Sequence, residues 1–286
     1  MYRTSRLALV SLSLAALIAV GCSSGSSDDS SGVLSTASAT TEPADATTTT
    51  PAPPTTVDPT ELATAYADFG PYPVGVTTLQ LAKGPKVEVW YPAVEGTGGT
   101  ETYDVREFTP EVIRALLTGD ASATYSYPAG RDAEVAEGTY PVVLFSHGFT
   151  GIRVQSAFLT SHLASWGMIV AAPDHPSRDL PNVLGGTASG DRNDSVDDLL
   201  QTLDLVVAED SSPTSVLSGH VDADKVVAVG HSAGGGTIVG AAADDRVDGY
   251  VSMASGVALG SGDSTATTVE PQVLPDKPSF FLAGSL

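Results

Sequence analysis

Beyond residue 61 the chain alternates short apolar runs with stretches of helical period. Val74–Leu81 and Val87–Tyr91 read as strands, the second with Val87, Val89 and Tyr91 alternating with Glu88 and Trp90. Val142–Ser146 and Met168–Ala172 are continuous apolar runs, the pattern of strands buried on both faces of a parallel sheet. Val226–Val229, Tyr250–Met253 and Ser279–Ala283 are further strand-like runs. Between them, Thr109–Leu117 predicts a helix, with Thr109 as N-cap and Pro110 in the first helical position. Arg153–Trp166 places Val154, Phe158, Leu159, Leu163 and Trp166 on one face. Asn193–Val207 repeats Val196, Leu199, Leu200, Leu203, Val206 and Val207 at helical spacing, and Ala233–Ala243 is a helix of small residues. Strand and helix in alternation predict one α/β domain over residues 61–286, a doubly wound, mostly parallel sheet covered on both faces.

The first 60 residues follow a different logic. Arg3 and Arg6 precede the uncharged 14-residue run Leu7–Val20. A bilayer span needs about 20 residues, so this run fits a signal-peptide core over residues 1–21. It ends Ala19-Val20-Gly21-Cys22, which resembles a bacterial lipobox with Ala19 where Leu is usual. That resemblance implies diacylglycerol on Cys22, cleavage before it and acylation of the new amine. Two or more acyl chains anchor stably where one is marginal, so the expected location is extracytoplasmic, on a bacterial cell membrane. An ordinary secretory signal with an incidental cysteine is the alternative. Residues 22–60 are almost entirely Ser, Thr, Ala, Pro, Gly and Asp, a composition that buries too little to fold and reads as a tether.

Charge narrows the partners. The 286 residues carry 34 acidic against 13 basic side chains, a net −21. Nucleic acid needs a basic face, and so does an anionic bilayer surface, so both are excluded as electrostatic partners. A single cysteine excludes an intrachain disulfide and a cysteine-rich metal site. No cofactor and no metal are implied. Asp191, Asp194, Asp197 and Asp198 read as a solvated capping face at a helix start, with a metal set as the weaker alternative.

The sharpest motif is Gly230-His231-Ser232-Ala233-Gly234, directly after the strand Val226–Val229 and before a helix. A strand-to-helix turn this tight strains the serine backbone and lifts its Oγ above the sheet, with glycines at −2 and +2 admitting the crossing. The second motif is Ser146-His147-Gly148-Phe149-Thr150-Gly151, after the strand Val142–Phe145. Acyl transfer needs donors where the carbonyl oxygen becomes an anion. Here the N–H groups of Ala233 and Phe149 are the candidates. His147, at the strand end beneath the loop, and His231, which precedes the nucleophile and points away from its Oγ, both read as structural.

Taken together and in this order, the motifs resemble an α/β-hydrolase, most similar to the platelet-activating-factor acetylhydrolase and dienelactone-hydrolase-like group and to bacterial cutinase-like polyester hydrolases. The carrying segments are Gly70–Val76, Val87–Ala93, Pro141–Gly151, Leu163–Ala172, Asp174–Asp179 and Asp222–Gly236. The resemblance implies ester hydrolysis through an acyl-enzyme on Ser232, with Phe149 and Ala233 as oxyanion donors and the Phe149 ring as a substrate clamp. Polyester hydrolases usually carry Met after the serine, so Ala233 implies a different acyl pocket. A dienelactone-type or amide hydrolase is an alternative that Ser rather than Cys at 232 disfavours.

The triad order in this fold is Ser, then Asp or Glu, then His. The five histidines stand at 147, 162, 175, 220 and 231, all before Ser232. The expectation is therefore a C-terminally incomplete chain, lacking the last strand and helix as well as the acid and base, and inactive or nearly so. Its final strand would leave Phe280, Phe281 and Leu282 at an open sheet edge. His175, in Asp174–Asp179, is placed on the catalytic rim as a substrate-cleft residue, and more remotely as a base. Asp263 is a weak substitute acid. The rival class is a non-catalytic surface lipoprotein that keeps the fold for binding.

Overall fold

The computed structural model describes residues 64–117, 123–255 and 273–283. The signal segment, Cys22, the 22–60 tether and Asp263 lie outside the described residues. The strands are β1 (Val74–Gln80), β2 (Lys86–Pro92), β3 (Thr100–Asp104), β4 (Thr124–Pro128), β5 (Gly130–Arg131), β6 (Tyr140–Ser146), β7 (Ile169–Pro173), β8 (Val221–His231), β9 (Gly249–Met253) and β10 (Ser279–Leu282). The helices are α1 (Glu111–Arg114), α2 (Ala157–Ser165), α3 (Leu180–Gly185), α4 (Arg192–Asp210) and α5 (Ala233–Ala241).

Eight strands form one sheet in the order β10-β9-β8-β6-β7-β2-β1-β5. β7, β6, β8, β9 and β10 run parallel, and β2 is antiparallel to both of its neighbours. β3 and β4 pair separately as an antiparallel ribbon. Alternate residues of β6 serve opposite cores, as side chains of a pleated strand must. Val142 and Leu144 pack with Leu199, Leu203 and Val206 of α4 and Ile238 and Val239 of α5. Val143 and Phe145 pack with Ala157 and Ala164 of α2 on the other face.

Each strand read from the sequence forms, within a residue or two of its expected bounds apart from β8, which extends further in both directions. The helices need more correction. Thr109 does not cap an α-helix: it closes a 3-10 turn over Val105–Phe108, its hydroxyl donating to Arg106 O, and Pro110 takes the cap position before α1. In α2 the buried side chains are Ala157, Thr160, Ser161, Ala164 and Ser165, while Phe158 is 61% exposed. Small residues let this helix lie close to the sheet, so Phe158 is pushed outward while Leu159 and Leu163 pack half-buried against the core. In β2, Glu88 is as buried as its valines. Arg131 at 2.8 Å and Arg153 at 3.2 Å neutralise it, and the Tyr103 hydroxyl donates to it.

Candidate active site

Ser232 occupies the turn between β8 and α5 with φ 55° and ψ −118°. A non-glycine residue there is strained, and the surroundings must hold it. They do so through the Ser232 N–H, which donates to Met253 O of β9 at 2.8 Å. The flanking glycines are sterically required. A Cβ at Gly230 would collide with the Gly234 carbonyl, and one at Gly234 with the Ser146 carbonyl. The Ser232 turn and the end of β6 are therefore in backbone contact. Among the described residues, none hydrogen-bonds the Ser232 hydroxyl.

The 146–151 turn lies alongside. A Cβ at Gly148 would sit 3.3 Å from both Ser232 Cβ and His231 Nδ1. Three consecutive amides of this turn have different fates. Gly148 N–H donates to Gln155 Oε1 at 3.2 Å, and Thr150 N–H donates to Arg178 O at 2.9 Å. Among the described residues, no acceptor bonds the Phe149 N–H between them. Ala233, first residue of α5, has the orphan N–H of any helix start. Two uncommitted amides therefore flank the strained serine. The Phe149 ring is 63% exposed. Gln155 also ties the two turns, its Nε2 donating to His231 Nδ1 at 3.3 Å.

The histidines sit elsewhere. His147 is buried, donates from Nδ1 to Gly148 O at 2.8 Å and accepts the His175 N–H on Nε2 at 3.2 Å. Burial first, then the neighbouring His175 and the Arg178 cation, hold it well below the ordinary histidine range. His162 stacks edge-on against Phe69, and His220 Nδ1 bonds Gly138 O. The expectation for His175 is corrected. Its side chain is 0% exposed, with both ring nitrogens engaged by Ser146 and Asp198. It lines no cleft and offers no lone pair to Ser232, because the 174–179 loop folds beneath the 147–150 turn.

Asp198 is likewise corrected. Asp191 and Asp194 form a capping box and Asp197 is exposed, but Asp198 is 3% exposed and faces inward. Burial raises its carboxyl above the usual range against the pull of Lys83, whose Nζ is 2.7 Å from Oδ1. Among the described residues, no group of three or more His, Cys, Asp or Glu could hold a metal. Arg178 and Gln155 were missed by the sequence reading. Gln155 belongs to no motif, and Arg178 sits in the Asp174–Asp179 segment with nothing local to single it out; their partners are 20 to 80 positions away or reached through main-chain atoms.

Residues 131–284, just over half of the chain, match the family model described as Chlorophyllase. Residues 71–183 match the model described as platelet-activating factor acetylhydrolase, isoform II. The chain is 25% identical over 231 aligned residues to the platelet-activating factor acetylhydrolase of Cavia porcellus, covering 62% of this chain and 52% of that protein. It thus spans about half the length of that curated relative. Among solved structures it is similar to a ferulic acid esterase from Streptomyces cinnamoneus, with a TM-score of 0.54 and 26% identity over 76% of this chain and 67% of the other. The mostly parallel eight-stranded sheet flanked by helices, together with this esterase likeness, is that of the α/β-hydrolase fold. The chain belongs to the chlorophyllase family, and with it to the esterase-like group of α/β-hydrolases that also holds the platelet-activating-factor acetylhydrolases.

Proposed function

We propose that the protein is a serine carboxylic-ester hydrolase acting through an acyl-enzyme on Ser232. The Ser232 oxygen attacks the ester carbonyl carbon, and the carbonyl oxygen becomes an anion between the N–H groups of Phe149 and Ala233. Collapse breaks the bond to the alcohol oxygen, which leaves with a proton, and water then releases the acid. The observation that carries this reading is the single uncommitted amide at Phe149, between two committed neighbours and beside a strained serine. The exposed Phe149 ring supports a role in gripping the substrate.

None of the five histidines of these residues bonds the Ser232 hydroxyl. A serine without a base is a poor nucleophile at neutral pH, so these 286 residues alone should turn over esters slowly. Added imidazole supplies the missing base. With p-nitrophenyl acetate, imidazole should accelerate acylation about tenfold or more over the Ser232→Ala background. Absence of any Ser232-dependent acylation, with or without imidazole, defeats the hydrolase reading and favours a binding lipoprotein. Ordinary esterase rates without imidazole defeat the missing-base part.

The same proposal places the domain outside the cytoplasm, on a bacterial membrane through lipidated Cys22. A Cys22→Ser variant expressed in a bacterial host should move from the membrane to the soluble fraction. Retention on the membrane would refute the anchor.

A further inference from the structure

Beneath the oxyanion turn lies a buried serine–histidine–aspartate chain that the proposed reaction does not use. Ser146 Oγ is 2.9 Å from His175 Nε2, and His175 Nδ1 is 3.0 Å from Asp198 Oδ2. All three residues are buried. The Asp198 carboxylate is acceptor-only, so His175 carries its proton on Nδ1 and donates it to Asp198, which leaves Nε2 bare to accept the Ser146 hydroxyl hydrogen. Arg178 has donors only, and its Nη2 donates to the same Ser146 oxygen at 2.7 Å. The groups facing His175 are Arg178, Lys83, Asp198 and His147. Burial first, then the two cations, keep its imidazole neutral. With its oxygen capped by a guanidinium and shut from solvent, Ser146 is no nucleophile.

The array reaches the oxyanion turn at several points. Arg178 donates from Nε at 3.2 Å and Nη2 at 3.0 Å to His147 O, and its carbonyl accepts the Thr150 N–H at 2.9 Å. His175 N–H donates to His147 Nε2, and His147 Nδ1–H to Gly148 O. A further Arg178 bond at 3.1 Å reaches Thr237 of α5, the helix that starts at the nucleophile. Thr150 itself adopts φ 56°, a conformation costly for a β-branched residue. A turn strained at 150 keeps its shape only under outside restraint, and residues 175 and 178 supply it. We infer that Ser146, His175, Arg178 and Asp198 are positioning residues that fix the 147–150 turn so that the Phe149 N–H faces Ser232, a role that rests on the esterase reading above.

Two readouts on the 286-residue chain test this. Imidazole nitrogen NMR should show His175 protonated on Nδ1 and bare on Nε2, in the wild type and in Ser232→Ala alike. In Asp198→Asn the amide donates to Nδ1 and the tautomer reverses, as when the orienting aspartate of a catalytic triad is amidated. Imidazole-rescued acylation of Ser232 should then slow by about 10- to 100-fold, with the half-saturating ester concentration unchanged. Arg178→Lys, a point charge that cannot span Ser146 and His147 O together, should slow it comparably and decides the matter if Asp198→Asn fails to fold. An Nε2-protonated His175 in the wild type overturns the proton assignment and the inference. Folded variants acylating at the wild-type rate overturn the positioning role alone. A wild type without Ser232-dependent acylation overturns the esterase reading and the role with it, whatever the tautomer shows.

Discussion

Ser146 ends β6 and Ser232 directly follows the adjacent parallel strand β8, with Ser146 paired beside Gly230 in their register. Their surroundings are opposite. Ser146 has a histidine, an aspartate behind it and a guanidinium on its oxygen, and no access to solvent. Ser232 has strain, partial exposure and two uncommitted amides, and among the described residues no partner for its hydroxyl. Serine, histidine and aspartate bonded in sequence are therefore not enough to mark a nucleophile. What distinguishes a reactive serine is access, an oxygen not already accepting from a cation, and donors aimed at the developing charge. On the esterase reading proposed above, the buried serine holds the scaffold and the strained one is left for chemistry.

The sharpest way to break this contrast is to remove each hydroxyl in turn. Ser232→Ala should abolish covalent labelling by a fluorophosphonate probe under imidazole rescue, read by intact-protein mass spectrometry, whereas in the wild type no adduct should form on Ser146. A Ser146 adduct would show that the buried chain opens. Gly234→Ala comes next, because the new methyl collides with the Ser146 carbonyl and forces the two strand ends apart. It should lower stability by about 3 kcal/mol, measured by the denaturant midpoint, and a near-neutral change would show that the strand ends part without cost.

Acid should act on the buried region first. His147 and His175 are held neutral, their pKa pushed well below the ordinary histidine value of 6.5 by burial. As pH falls below about 6.5, the unfolded chain takes up protons that the folded chain refuses, so stability falls by up to about 1.4 kcal/mol per pH unit for each of the two. Above that pH the contribution is fully present. The slope of the denaturant midpoint between about pH 7 and pH 5 should be shallower in His175→Gln, and an unchanged slope would mean that His175 titrates normally. The smallest effect belongs to Phe149→Ala. Its exposed ring contributes little to stability, so melting should stay put. Losing an aromatic contact of about 1 kcal/mol should raise the half-saturating concentration of an aromatic ester about fivefold, and no change would remove the ring from the substrate's path.

The continuous apolar runs that became β6 and β7, and the Gly-x-Ser-x-Gly turn after β8, were legible because each depends on neighbours in the chain. A strand buried on both faces must be apolar throughout, and a serine crowded by helix and strand must have glycine two residues to either side. The motif order also disclosed the α/β-hydrolase likeness. Tertiary structure decided the rest. Asp198 looks like one more carboxylate at an acidic helix start, and only packing against Lys83 and His175 turns it inward. His175 sits after a strand, where this fold often places site residues, yet the loop carries it under the turn. Phe158 has the spacing of a core residue and is exposed, because α2 approaches the sheet through Ala157, Thr160 and Ala164. Local patterning determines which segments are strands and where the backbone must bend. Which polar side chains are buried, and which serine keeps its oxygen available, depends on partners scores of residues away, brought together only when the sheet is assembled.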